Sequence, residues 1–89
     1  MPLTFEWDLR KARSNFAKHG VGFEEASTIF SDPLSLTIPD PEHSKTEDRF
    51  VTIGTAFTGK LLVVVHTDRG DNIRIISART RQPPRTQEL

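Results

Sequence analysis

Residues 49–79 read RFVTIGTAFTGKLLVVVHTDRGDNIRIISAR, and this stretch decides the fold. Its β-branched and aromatic residues fall into three runs, each bounded by glycine or by polar residues, which is typical of strands. We predict strands from Arg49 to Phe57, Lys60 to Thr67 and Asn72 to Arg79. Thr58-Gly59 suits a two-residue hairpin loop and Arg69-Gly70-Asp71 a second tight turn, so these strands should be antiparallel neighbours.

A short strand and a helix come before this stretch. Leu3 to Trp7 alternates apolar and polar residues, as a strand does. Residues 9–19 repeat apolar residues at a spacing of three and four, which predicts an amphipathic helix. Asp8 can cap its start, and Gly20 can supply the left-handed residue at its end.

A second helix and another strand complete the predicted fold. The helix should begin after Gly22 and end at Asp32-Pro33, and Leu34 to Ile38 should be a strand. Pro39 to Asp48 is then a loop, long enough that a functional role is common. The fold class is α+β: a short strand, two helices and a four-stranded antiparallel meander. Residues 1–79 should form one domain, and residues 80–89 a divergent tail.

The two faces of the predicted sheet follow from its register. If both hairpin loops contain an even number of residues, Val51 faces His66. Arg49, His66 and Arg79 then share one face, and Arg74 lies on the other. Two helices of about ten residues cover only one face. The other face should expose an apolar patch edged with arginine, which is typical of a partner site.

Composition narrows the possible functions. The chain has no Cys, which excludes disulfides, cysteine zinc sites and thiol nucleophiles and fits a reducing cytoplasm. The longest apolar run, Leu61 to Val65, is too short to span a membrane. The net charge is +0, but residues 1–48 carry −4 and residues 49–89 carry +4. Any contact with nucleic acid should therefore be local.

Basic and carboxylate side chains between residues 43 and 79 suit RNA cleavage without a metal. Such cleavage needs a base for the 2′-hydroxyl, an acid for the leaving oxygen and cations for the phosphate. Arg74 interrupts an apolar strand, which favours a functional role, whereas His66 could equally be a hydrogen-bonded structural residue. The three His are too widely spaced to predict a metal site, and we expect no cofactor.

The assembled motifs resemble those of the BrnT-type toxins, over residues 5 to 79. The matching residues are Phe5-Glu6-Trp7-Asp8, Asn15, Lys18-His19-Gly20-Val21, Phe23-Glu24-Glu25-Ala26, Phe30, Asp32-Pro33, Asp40, His43-Ser44, Glu47, Arg49, Ile53-Gly54, Gly59, Leu61-Leu62-Val63, Thr67, Arg69 and Ile73 to Arg79. The resemblance implies a RelE-like ribonuclease fold and inhibition of translation by RNA cleavage. It also implies neutralisation by a BrnA-type antitoxin, through which alone the toxin would reach operator DNA.

The resemblance and the chemistry together give a set of site residues. Catalysis is assigned to Glu47, Arg49, His66, Arg74 and Arg79. RNA contact is assigned to Lys18, His43, Arg69 and Arg81.

The tail departs from the family pattern. Family members commonly continue into a charged C-terminal helix with a Tyr, but this chain has Pro83-Pro84 and no Tyr, so that helix should be missing or altered. An alternative hypothesis is therefore that the chain is a catalytically weakened module that binds an antitoxin and acts mainly in transcriptional autoregulation. A direct DNA-binding protein is disfavoured by the zero net charge and the absence of a basic recognition helix.

Overall fold

The computed structural model describes residues 3–40 and 48–81, which form one sheet with helices on one side. Its elements are β1 (Thr4–Glu6), α1 (Leu9–His19), α2 (Phe23–Ser27), a 3₁₀ turn (Thr28–Ser31), β2 (Leu36–Pro39), β3 (Arg49–Thr55), β4 (Leu61–Arg69) and β5 (Asn72–Thr80). The predicted α+β class is confirmed. Residues 82–89, for which a missing or altered helix is predicted, lie outside the described residues.

The sheet is mixed and has five strands in the order β1-β5-β4-β3-β2. Strands β2 to β5 pair antiparallel in chain order. The N-terminal strand joins this sheet parallel to β5, so a purely four-stranded antiparallel sheet is not the whole architecture. The ring of Phe5 packs on Phe30 with the centroids 5.3 Å apart, which ties β1 to the layer of helices.

The register predicted for the first hairpin is wrong, because its loop contains an odd number of residues. The Ala56 N–H donates to the Lys60 carbonyl at 2.8 Å, and the positive φ of Gly59, 90°, closes a three-residue loop between them. Val51 therefore pairs with Val65, and His66 pairs with Phe50. A shift of one residue moves every side chain of a strand to the opposite face.

A β-bulge between β4 and β5 also changes which side chains share a face of the sheet. Val65 pairs with Ser77, but His66 pairs with Ile75, so Ile76 is the extra residue. A bulge of this kind reverses the alternation of the strand beyond it. Arg79 consequently shares a face with Arg74, and the predicted separation of these two residues is wrong.

The second predicted helix breaks after one turn. The hydroxyl of Ser27 donates to the Glu24 carbonyl at 2.7 Å, and that of Thr28 donates to the Glu25 carbonyl at 2.6 Å. Side chains that bond to the backbone of the preceding turn weaken an α-helix, and here the chain tightens into a 3₁₀ turn. The turn is buried through Ile29.

The core lies between the helices and one face of the sheet. Its buried residues are Val21, Phe23, Ala26, Ile29, Ala56, Leu62, Val64, Ile75 and Ala78. The other face of the sheet carries no helix within the described residues. We call it the open face, and it includes Leu36, Ile38, Arg49, Val51, Ile53, Val63, Val65, Arg74, Ser77 and Arg79.

Helix α1 is anchored by a polar residue instead of its predicted apolar stripe. Asn15 is its buried residue, whereas Leu9 is 68% and Phe16 60% exposed. The Asn15 amide donates to the Ala78 carbonyl at 2.8 Å and accepts from the Ala78 N–H at 3.0 Å. It also donates to the Val21 carbonyl at 3.0 Å. Strand β1 ends opposite Arg74, so the Asn15 side chain takes the place of a neighbouring strand further along β5.

Candidate functional site

A row of charged residues crosses the open face from β1 to the end of β2. Glu6 pairs with Arg74, Arg74 with Thr67, and Thr67 with Arg49. The row ends at Asp40, whose N–H donates to the Arg49 carbonyl at 2.9 Å. Arg49 and Arg74 are two strands apart, which places their Cα atoms about 10 Å from each other. The two arginines therefore lie in one row across the sheet.

Arg79 lies on the same face but further along β5. It pairs with Val63, four residues along β4 from Thr67, a separation of about 13 Å at the usual rise of a strand. Arg79 is exposed, and no salt bridge to it is found in the described part of the chain. The arginines of the open face thus form a triangle around an apolar surface.

The Glu6 carboxylate forms ion pairs with two of the arginines predicted for the site. Its carboxylate accepts from the Asn72 amide at 2.9 Å and from Arg74 Nη1 at 2.8 Å, and Arg69 Nη1 lies 4.0 Å away. The Asn72 hydrogen bond, followed by that of Arg74, lowers the pKa of Glu6 below its ordinary value. Arg74 is therefore oriented by a carboxylate and its charge is partly neutralised, while Arg69 adds to the same cluster.

A cleft of about 260 Å³ opens beside Arg49 on the open face. Its other lining residues are Asp40, Val65, Ile76 and Ser77. The bulge brings Ile76 and Ser77 to this cleft. The sequence pattern does not identify Asp40 or Ser77 as site residues. The feature that indicates Asp40 is its position directly after β2, next to the strand that begins with Arg49.

His66 lies on the helix side of the sheet and is 5% exposed. Its ring stacks on Phe50 and meets the edge of Phe30, with centroids 5.9 and 4.9 Å away. Nε2 lies 2.7 Å from the Thr52 hydroxyl, which is itself 2.7 Å from that of Thr37. Nδ1 is buried and has no hydrogen-bond partner among the described residues. These surroundings are those of a structural histidine, and the catalytic role predicted for His66 stays a prediction.

Burial lowers the pKa of His66 below its ordinary value of about 6.5, against a smaller raising effect of Asp68. The unfolded chain thus takes up a proton at His66 more readily than the folded chain does. We expect the free energy of unfolding to fall as the pH drops below about 6.5, and to level off once the pH is below the folded pKa. Thermal melting between pH 7.5 and 5 measures this loss.

The matched variants for that measurement are His66→Gln and His19→Gln. His19 is exposed at the end of α1 and provides the same substitution at a histidine outside the core. His66→Gln should flatten the melting temperature between pH 7.5 and 5. An unchanged slope in His66→Gln would show that another group causes the loss.

The remaining predicted residues do not gather at one place. Lys18 lies in the last turn of α1, on the helix side. Arg81 follows β5, is exposed, and donates its backbone N–H to the Leu61 carbonyl at 2.8 Å. His43 and Glu47 lie outside the described residues. The ends of their segment are joined by the hydrogen bond between Asp40 and Arg49 at the cleft.

Residues 3–40 and 48–81 contain neither a metal-ligand cluster nor a membrane-spanning helix. These residues contain no group of three or more His, Asp or Glu side chains arranged to hold a metal ion. Their helices also lack the length and apolar character needed to cross a bilayer.

Comparison with known proteins identifies a protein family and a similar solved structure. Residues 7–83 match the family model described as the ribonuclease toxin BrnT of a type II toxin–antitoxin system. The fold is similar to the 1.1 Å crystal structure of the Brucella abortus ribonuclease toxin BrnT, with a TM-score of 0.71 and 24% identity, covering 92% of this chain and 100% of that one. No curated protein sequence matches the chain. The structural likeness supports the fold, and the family match covers most of the chain.

Proposed function

Because this chain belongs to the BrnT family of ribonuclease toxins of type II toxin–antitoxin systems, we propose that it cleaves RNA on the open face of its sheet. The cleavage needs no metal ion and inhibits translation in the cytoplasm. As a type II toxin, the chain has an antitoxin partner. We propose that this partner is BrnA-like and that the toxin reaches operator DNA only through it.

The observation that carries the proposal is the combination of arginine and apolar surface on the open face. Arg49 and Arg79 flank Val51, Ile53 and Val65, with the cleft at one side. Guanidinium groups bind phosphate through paired N–H donors. Unstacked bases of single-stranded RNA bind to apolar and aromatic surfaces. The face thus offers partners for both parts of a nucleotide.

The proposed reaction is attack by the ribose 2′-oxygen on the adjacent phosphorus. A base removes the 2′-hydroxyl proton, the new bond from the 2′-oxygen to phosphorus forms, and the bond to the 5′-oxygen breaks. A protonated group returns a proton to that oxygen, which leaves a cyclic phosphate and a 5′-hydroxyl. We assign the base to Glu47, with His43 as the candidate proton donor. Both belong to the segment whose ends meet at the cleft.

The arginines stabilise the charge that grows on the phosphate oxygens. Arg49, on the rim of the cleft, and the exposed Arg79 are assigned this role. Arg74 supports it from the same row, held in position by Glu6. The contacts of Arg69 and Arg81 with RNA would extend the basic surface at opposite ends of the face.

A second function is favoured by the Glu6 cluster. Glu6 neutralises part of the charge of Arg69 and Arg74, which lowers the capacity of the face for phosphate. In this alternative the chain only docks its antitoxin, and the complex acts in transcriptional autoregulation.

Incubation of the purified protein with single-stranded RNA in EDTA separates the two functions. The ribonuclease should produce fragments that end in a 2′,3′-cyclic phosphate, at the same rate with and without Mg²⁺. The Arg49→Ala, Arg79→Ala double variant, purified in parallel, controls for contaminating nucleases. Intact RNA together with preserved antitoxin binding would refute the enzyme and support the docking module.

A further inference from the structure

An apolar groove lies between α1 and α2, on the side of the sheet opposite the open face. It has a volume of about 500 Å³. Its lining includes Trp7, Leu9, Ala12, Phe16 and Phe23. We call it the α1–α2 groove. None of the proposed RNA contacts on the open face contributes to it.

Two large apolar side chains that line the groove are exposed to solvent. Leu9 and Phe16 lie two helical turns apart on α1, and both are mostly exposed. Since α1 is anchored to the sheet through Asn15, these residues are not needed to fix the helix. An apolar stripe of this length is what a groove presents to the i, i+3, i+4 and i+7 side chains of a bound helix.

The charge beside the groove has one sign along α1. Leu9–His19 contains no Asp or Glu, and its basic side chains are Arg10, Lys11, Arg13 and Lys18. Arg13 itself lines the groove, and Glu24 is the acidic residue on the α2 wall. An occupant with apolar residues on one face and acidic residues along the edge facing α1 would complement both the surface and the charge.

We infer that the α1–α2 groove binds an amphipathic, acidic helix of the antitoxin. The inference rests on the family membership that gives this chain an antitoxin partner, and it deepens the proposed function by naming where that partner is anchored. The anchor is separate from the face proposed for RNA. An antitoxin that also covers Arg49 and Arg79 would have to extend from the groove around the sheet.

The test compares Phe16→Asp with Phe57→Asp, using the full-length antitoxin encoded with this toxin as the probe. Phe57 is 77% exposed in the β3–β4 hairpin, outside the groove, and so offers the same substitution at a similarly exposed phenylalanine. Titration calorimetry should show the Kd of Phe16→Asp raised at least tenfold and that of Phe57→Asp within about twofold. Arg13→Glu should also raise the Kd, more at low salt than at high salt.

Trp7 provides a direct signal from the groove. It is the single Trp of the chain and lines the groove, so its fluorescence should shift to shorter wavelength when the antitoxin removes water. The shift should be clearly smaller in Phe16→Asp at an antitoxin concentration that just saturates the wild type. Circular dichroism melting checks that both Asp variants are folded.

Several outcomes would overturn the inference. Equal Kd values for Phe16→Asp and the wild type would place the antitoxin elsewhere. A Trp7 shift caused by single-stranded RNA would make the groove an RNA contact, and a concentration-dependent dimer lost in Phe16→Asp would make it a self-association surface. A Trp7 shift on deletion of residues 82–89 would assign the groove to the chain's own end.

Failure of the proposed function gives a different result. If the wild type leaves RNA intact but Phe16→Asp still loses antitoxin affinity, the enzyme is refuted and the groove is supported. If Phe16→Asp cleaves RNA and is neutralised as efficiently as the wild type, the groove is refuted and the enzyme stands.

Discussion

Replacement of Arg49 and Arg79 together by alanine is expected to slow RNA cleavage by at least about 100-fold, because each removes a cation from the proposed transition state. Arg49 lines the cleft and Arg79 is exposed on the same face. The rate should be measured in single turnover with labelled single-stranded RNA in EDTA. Each lost phosphate contact should also reduce the salt dependence of binding, by about 0.7 in the slope for a single strand.

Arg10→Ala is the matched control for this experiment. Arg10 is exposed on α1, so its removal takes one positive charge, half of what the double variant loses, from the helix side of the molecule. Its cleavage rate should stay within about twofold of the wild type, since exposed charges beyond a Debye length are largely screened. If Arg10→Ala slowed cleavage as much as the double variant does, the loss of rate would be a general effect of net charge and not evidence for the proposed site.

Arg74→Ala tests a different property of the face. Its loss also leaves the Glu6 carboxylate with one fewer donor, so an effect on cleavage combines charge, position and stability. Arg74→Lys keeps the charge but not the two-pronged geometry of guanidinium. Cleavage retained in Arg74→Lys and lost in Arg74→Ala would show that cleavage needs the positive charge of Arg74 and not its two-pronged geometry.

The sequence predicts the elements of this fold better than their faces. The strands around Val51, Val63 and Ile75 have strong β-type composition, and each appears with only its ends shifted. Their faces depend on two local details: a hairpin loop of three residues ending in Gly59, and a bulge at Ile76. Neither changes the composition of a strand, so the pattern alone does not reveal them.

Strand register also decides which part of the candidate site can be predicted from the sequence. Arg49 and Arg79 are visible in the sequence as basic residues that bound strands. Their arrangement with Asp40 and Ser77 follows from pairing across β2, β3, β4 and β5, which only the register fixes. The ion pair between Glu6 and Arg74 joins residues from opposite ends of the chain, through the parallel pairing of β1 with β5.

Helix α1 shows a further limit of periodicity. Its apolar spacing predicts that Phe16 faces the core, but the buried side chain is the neighbouring Asn15. Amide side chains can reproduce the donor and acceptor of a peptide group, and β5 needs such a partner where β1 has ended. The unpaired edge of β5 therefore requires a polar residue at position 15. A hydrophobic pattern contains no information about such an edge.

Substitution of Asn15 by leucine, which has a similar volume, is expected to destabilise the protein by about 3 kcal/mol. Three backbone groups lose their partner, the Ala78 N–H, the Ala78 carbonyl and the Val21 carbonyl, and each buried orphan costs about 1–3 kcal/mol. In a domain of this size the melting temperature should fall by more than about 10 °C. Chemical denaturation gives the free energy of unfolding directly.

A local measurement distinguishes this mechanism from a general loss of packing. Hydrogen exchange at the Ala78 amide should accelerate in Asn15→Leu more than at Val64, which pairs with Ala78 from the other side and lies within the sheet. Asn72→Ala is the matched control, since its amide donates a single hydrogen bond, to the part-exposed Glu6, and its loss should destabilise the protein much less. If Asn15→Leu costs no more than Asn72→Ala, the edge of β5 does not need the Asn15 amide, and packing of α1 against the sheet must hold the helix instead.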